Sequence, residues 1–351
     1  MSNTFESTHK ILVVSIAYMG DVVLSTPVTR SLKKQFPSAT IDLLVQPLAK
    51  DAAKHNPYVD HVLVYEREHA HENKATLQNF IHLLQSKNYD LALSLNDDLI
   101  CAMLTGLSGA RYRIGYENDS QTKFFTHTIK AQKKILHQTE KQLQILKPLG
   151  LIHQDSHIEF NISDNEMTNL YHKLDLTATE SIVVLCPFSS HAHKNWTVDN
   201  WVSVIKHLTK RIKCILIGSE KELSAIQSMN TKADNVALIA AGKLTLGESA
   251  ALIKSAQLFI TVDTGPMHIA QAFDTPVIAL MGPTHSRVWG PRNRQDIVIR
   301  SLRCPCAPCW QLYKNYHTVE CLNHSCMTQI TATEVIKASE SILNTPLRLW
   351  A

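Results

Sequence analysis

Short apolar runs alternate along the chain with longer stretches in which apolar residues recur every third or fourth position. The run ILVVSI at 11–16 is short, β-branched and apolar at successive positions, as a strand buried on both faces requires. Behind it, Pro27 suits a first helical turn, and Val28, Leu32 and Phe36 recur at four-residue spacing, so the pattern predicts a helix. IDLLV at 41–45 and HVLVY at 61–65 read as the next strands. Leu77, Phe80, Ile81 and Leu84 fall at i, i+3, i+4 and i+7, the stripe of an amphipathic helix, and LALSL at 91–95 is again a strand. Alternating strand and helix predicts parallel strands joined by right-handed crossovers, a doubly wound α/β domain.

The rhythm loosens between about 150 and 180, where the chain is polar and lacks a long apolar run. The expected boundary falls there, with one domain over 1–175 and a second over 176–351. The second half restarts the pattern with IVVLCP at 182–187, CILIG at 214–218, VALIA at 236–240, LFITVD at 258–263 and VIALMG at 277–282. Trp201, Val204, Ile205 and Leu208 mark one of the helices between these strands. The predicted architecture is α/β, two doubly wound Rossmann-like domains facing a central cleft. A final helix is expected over about 332–344, and whether it returns to the first domain is open.

A length of 351 residues exceeds one typical domain and suits two. No apolar stretch nears the ~20 residues of a membrane helix. The start, MSNTFESTHK, lacks the apolar core of a signal peptide, so a cytoplasmic protein is expected. A net charge of +4, from 35 basic and 31 acidic residues, is too mild to imply nucleic acid. Lys130, Lys133, Lys134 and Lys141 could form a local face for phosphates or an anionic membrane, although a solvated surface is the simpler reading.

Chemistry gathers at strand-to-helix turns, beyond the carboxyl ends of strands, where doubly wound domains bind ligands. In GDVVLSTP at 20–27, Gly20 permits a tight turn and Asp21 would stand at the cleft edge, able to take a proton from a hydroxyl. A helix cap is the commoner job for an Asp so placed, and the local pattern alone favours it. In VDTGPMHIA at 262–270, Thr264, Gly265 and the amides that follow form a helix start suited to a diphosphate, with Pro266 in the first turn. His268 follows in that turn, poised evenly between ligand contact and ordinary burial. In HAHKNWTVDNW at 191–201, Lys194 could neutralise a phosphate, while Trp196 and Trp201 read as packing residues. Arg287, Arg292, Arg294, Arg300 and Arg303 offer further cations, most of them expected at the surface.

Absent motifs narrow the field. There is no GxGxxG and no GxxxxGK[ST], which weakens a dinucleotide oxidoreductase and a P-loop NTPase. There is no Asp-x-Asp pair to present carboxylates to a divalent ion on a nucleotide sugar. Five of the eight cysteines fall between 304 and 326. Cys306 and Cys309 have the spacing of a zinc knuckle, with Cys321 and Cys326 downstream, so structural zinc is one reading. Reduced thiols in a folded loop, or a disulfide formed on oxidation, are favoured over it, and no acid–base pattern marks a catalytic cysteine.

Taken together, these motifs resemble the ADP-heptose:lipopolysaccharide heptosyltransferases, glycosyltransferase family 9, whose members have the two-domain GT-B fold. The resemblance starts with KILVVSIAYMGDVVLSTPVTRSLKKQFPSATIDLLV, continues through RIGY at 113–116 and ends with LFITVDTGPMHIAQAFDTPVIALMGPT. It implies Asp21 as catalytic base and Lys194 as the lysine that meets phosphate during catalysis. It also implies Glu222 (with Glu220 as the alternative) at the adenosine ribose, and Asp263, Thr264, Gly265 and His268 at the donor. Many family members carry Ser where this chain has Ala17. The cysteine-rich C-terminal pattern resembles the branches that extend the inner core, heptosyltransferases II and III. The resemblance further implies inverting transfer from ADP-L-glycero-D-manno-heptose to a lipid A–Kdo/heptose acceptor, performed at the inner face of the inner membrane with no cofactor. The competing readings are a nucleotide-sugar epimerase of the same fold and a non-catalytic nucleotide-sugar-binding protein.

Overall fold

The computed structural model describes residues 5, 7–66, 74–130, 132, 134–152, 154–310, 321 and 324–344. The chain divides into two compact units, 1–161 and 162–351.

The first unit is built on a six-stranded parallel sheet: β1 (Lys10–Ser15), β2 (Thr40–Val45), β3 (His61–Val64), β4 (Leu91–Ser94), β5 (Tyr112–Tyr116) and β6 (His127–Ile129). Its order is β3-β2-β1-β4-β5-β6, so the chain reverses its direction of travel across the sheet between β1 and β4. Val14 lies opposite Leu44 on one side and Ser94 on the other. Helices α1 (Met19–Val23), α2 (Thr26–Gln35), α3 (Lys50–Lys54), α4 (Lys74–Ser86), α5 (Leu99–Leu107) and α6 (Gln138–Leu143) connect or follow the strands. Helix α2 carries Pro27 in its first turn and buries Val28 and Leu32, as the four-residue spacing predicts.

The second unit repeats the plan. Its strands are β7 (Ile182–Cys186), β8 (Lys213–Leu216), β9 (Leu238–Ile239), β10 (Leu258–Val262), β11 (Val277–Leu280) and β12 (Ile297–Ile299). All are parallel, in the order β12-β11-β10-β7-β8-β9. Counted from its own first strand, this is the same order as the first sheet, with the reversal between β7 and β10. Helices α7 (Asp164–Leu174), α8 (Val198–Leu208), α9 (Leu223–Lys232), α10 (Leu246–Ser255), α11 (Gly265–Ala270), α12 (Ser286–Trp289), α13 (Ser325–Thr328) and α14 (Ala332–Leu343) complete it. Each unit thus carries the doubly wound parallel sheet that the alternation predicts. Among the described residues, no helix is long and apolar enough to cross a membrane.

The division falls between Asn161 and Ile162, ahead of the expected boundary at 175/176. The cause is α7. Ser163 and Glu166 close a capping box at its start, and its apolar side buries Leu170 and Leu174 in the second unit's core, against α10. Just before it, Asn161 N donates to His55 O and remains with the first unit. The final helix α14 stays in the second unit, packed on α8 and beside β10, β11 and β12.

Candidate functional site

In an open parallel sheet the helices on either side of the reversal leave a crevice at the strands' carboxyl ends. In the second unit, that position receives the loops leaving β7 and β10. The β7 loop makes a short turn at Ala192–Lys194. The β10 loop delivers Asp263 and then Thr264, the N-cap residue of α11. Across the reversal, Lys194 Nζ lies 2.8 Å from Asp263 Oδ2, and the two side chains are only 15% and 5% exposed. Thr284, from the loop after β11, donates to the same Oδ2 at 2.6 Å. The Lys194 ammonium also sits 4.7 Å from the ring centre of Trp310, whose edge meets His191.

Burial works against a charge on Asp263, but the Lys194 ammonium, the charge of His268 and the Lys194 and Thr284 hydrogen bonds prevail, so its carboxyl is held below the usual carboxylate range. His268 itself is buried, with Nδ1 3.2 Å from Gln271 Nε2 and its ring 6.3 Å from Trp289. Thr264 is extended, and Gly265 opens α11 without a positive φ. Glu222 lies in the loop after β8, where Oε2 accepts from Ser219 N at 2.7 Å and Ser219 Oγ at 2.9 Å in a capping box. Its charge reaches Cys186 at the end of β7, where burial first and then Glu222 push the thiol up to about 12. Lys194, Glu222, Asp263, Thr264, Gly265 and His268 therefore all come from loops or a helix start at one end of one sheet. The five arginines at 287, 292, 294, 300 and 303 are exposed, as expected.

In the first unit, Asp21 follows β1, beside the reversal of that sheet. It is half-buried and occupies the first turn of α1, whose N-cap position belongs to Tyr18. Asp21 is therefore not itself the N-cap residue of α1. Gln138 Nε2 donates to Asp21 Oδ1 at 3.3 Å, and Gln142 Nε2 donates to the Asp21 carbonyl at 3.2 Å. RIGY forms β5.

Thr284, Trp310, Gln138 and Gln142 were not singled out by sequence reasoning. Thr284 had a signal, because it ends the run VIALMGPT at the carboxyl end of the strand beside β10. Trp310 follows the cysteine pair but carried no signal of this role, and Gln138 and Gln142 come from a distant segment with no motif of its own.

Cys306, Cys309, Cys321 and Cys326 line one hollow together with His193, His324, Pro283 and Trp310. Among the described residues, no three His, Cys, Asp or Glu side chains are arranged to hold one metal ion. His193 Nδ1 and His324 Nε2 pair with each other at 2.7 Å, and Cys304 Sγ pairs with Cys306 Sγ at 3.4 Å. All eight cysteines are free thiols. Burial, followed by the neighbouring cysteines, pushes Cys326 up to about 12, so it stays protonated and poorly nucleophilic at neutral pH.

Residues 77–319 match the family model "Glycosyltransferase family 9 (heptosyltransferase)". The chain is 31% identical over 293 residues to lipopolysaccharide heptosyltransferase 3 of Escherichia coli, covering 80% of this chain and 85% of that protein. The solved family 9 glycosyltransferase of Veillonella parvula superposes with a TM-score of 0.84 at 22% identity, over 96% of this chain and 97% of that one. E. coli ADP-heptose lps heptosyltransferase II superposes with a TM-score of 0.76 at 20% identity, over 95% and 98% of the two chains. With two doubly wound units that match solved GT-B heptosyltransferases, and a family model spanning most of its length, this chain belongs to glycosyltransferase family 9, the heptosyltransferase family.

Proposed function

We propose that this chain is an inverting heptosyltransferase of the lipopolysaccharide inner core, of the II/III type, using ADP-L-glycero-D-manno-heptose as donor. The observation that carries the reading is the Lys194–Asp263 pair at the reversal of the second sheet, fixed by Thr284 and followed by the start of α11. An ammonium held by a buried carboxylate is preorganised, so it can meet the charge that grows on a leaving diphosphate without first reorganising. The names of the relatives support the donor and the acceptor class. With no Asp-x-Asp pair in the sequence, Lys194 and the α11 amides take the part that a divalent ion plays on other nucleotide sugars.

The reaction is a single displacement. The acceptor hydroxyl gives its proton to Asp21 and its oxygen bonds to the anomeric carbon. The bond from that carbon to the diphosphate oxygen breaks, and ADP leaves with the electron pair. Attack from the face opposite ADP inverts the anomeric centre. Glu222 hydrogen-bonds the adenosine ribose, and His268 supports the diphosphate end through Asp263. The acceptor is lipid-linked, so the enzyme works at the inner face of the inner membrane, where the exposed Lys130, Lys134 and Lys141 suit an anionic surface.

The test is transfer from ADP-heptose to a panel of truncated core lipids, read by mass. One core acceptor should gain a single heptose. Asp21→Ala should lower turnover by roughly 100-fold or more while leaving ADP affinity nearly unchanged. Donor binding with no mass gain on any acceptor would overturn the transferase reading in favour of an epimerase or a non-catalytic binder.

A further inference from the structure

We infer that Gln138 is a positioning residue for Asp21, holding the carboxylate in the orientation and charge state of a working base. The inference rests on the assignment of Asp21 as the base. Gln138, the first residue of α6, is 6% exposed, and its amide donates to Asp21 Oδ1. Gln142, fully buried, lies one turn later on the same side and binds the main-chain carbonyl of the same aspartate. One helix thus grips Asp21 twice, at its carboxylate and at its backbone.

The platform behind that grip is well fixed. His137 caps α6, with its own N–H donating to Glu140 Oε2 at 3.2 Å, while Tyr116 OH reaches Lys141 O at 3.1 Å from β5. Leu143, Ile145 and Leu146 follow immediately into the core. A buried amide without a partner is costly, so the direction of Gln138 is set by what it can reach. A neutral amide also suits the chemistry. Its N–H stabilises the ionised carboxylate, yet it has no proton to surrender and does not compete with the acceptor hydroxyl for the base. Removing the donor takes one hydrogen bond from the carboxylate, which loosens its orientation and favours its protonated form before catalysis begins.

The experiment measures kcat, KM for ADP-heptose and the pH profile of kcat/KM for the wild-type chain and for Gln138→Met, Gln138→Glu and Asp21→Asn. Gln138→Met keeps the length of the side chain without the donor. It should lower kcat by about tenfold or more and move the acidic limb of the profile to higher pH, with KM for ADP-heptose little changed. Gln138→Glu, which places a like charge beside Asp21, should move that limb further in the same direction, and it carries the test alone if the Met variant does not fold. A merely structural glutamine would lower the melting temperature without moving the limb. Folded Gln138 variants with wild-type kcat and an unmoved limb, beside an inactive Asp21→Asn, would overturn the positioning role and leave Asp21 as base. Full turnover in Asp21→Asn would remove the base assignment, and this inference with it.

Discussion

Lys194 and Asp263 depend on each other. Each is largely withdrawn from water, and Lys194 is the first of the groups that favour the Asp263 charge, ahead of His268 and Thr284. Lys194→Met should therefore cost stability as well as turnover, by about 3 kcal/mol, because it removes the main countercharge of a buried carboxylate. Adding Asp263→Asn to that variant should restore most of the melting temperature and none of the transfer, and thermal melts beside the transfer assay check both halves. The pair also sets a pH dependence. Asp263 ionises below its usual range, so the stability it contributes is fully present above the unfolded value of about 4 and is lost as pH falls through the lower folded value. Melting temperature followed from pH 7 towards pH 3 should fall with a shallower slope in the double variant. At this scale much of the site was legible. Asp21, Asp263, Thr264 and Gly265 sit in contiguous motifs at strand ends, where a turn leaves a readable mark. Lys194 stood out in its loop motif, Glu222 and the base role of Asp21 came only from the family resemblance, and Gln138 was hidden because partners brought in by tertiary folding leave no local pattern.

Elements divide in the same way. The central strands β1, β4, β7 and β10 are continuous apolar runs, since helices cover both of their faces, and each was readable within a residue or two. The edge strands β6 and β12 are three residues long and too short in apolar length to stand out, whereas the two-residue β9 lies inside the run VALIA that reads as a strand. Helix α7 was readable in principle from Ser163, Glu166, Leu170 and Leu174, a capping box ahead of four-residue spacing. RIGY was noticed only as a family mark, and its glycine has a physical reason: a side chain at Gly115 would run into the Phe125 ring. Gly115→Ala should destabilise the first unit by about 1–3 kcal/mol, and trimming the ring with Phe125→Leu should recover part of the loss in a denaturant titration. In the cysteine segment, His193 and His324 engage each other rather than a shared point. Purified protein should carry well under one equivalent of zinc by elemental analysis, and chelation should leave its melting temperature unchanged; a full equivalent with a lowered melting temperature would reverse that expectation.

At the scale of the whole molecule, the two units share one strand order and each encloses its own core, and the chain passes from one to the other once, at 161/162. Residues 162–351 expressed alone should therefore fold cooperatively and bind ADP about as well as the full chain, with calorimetric titration as the check. Failure of that fragment to bind would mean that the first unit completes the nucleotide site. The single passage also bears on how such a chain can change through inheritance. A recombination event at this one junction would pass either unit between relatives with its own sheet and core intact. Diversification within the family could then proceed by exchange of halves, each half arriving already able to fold.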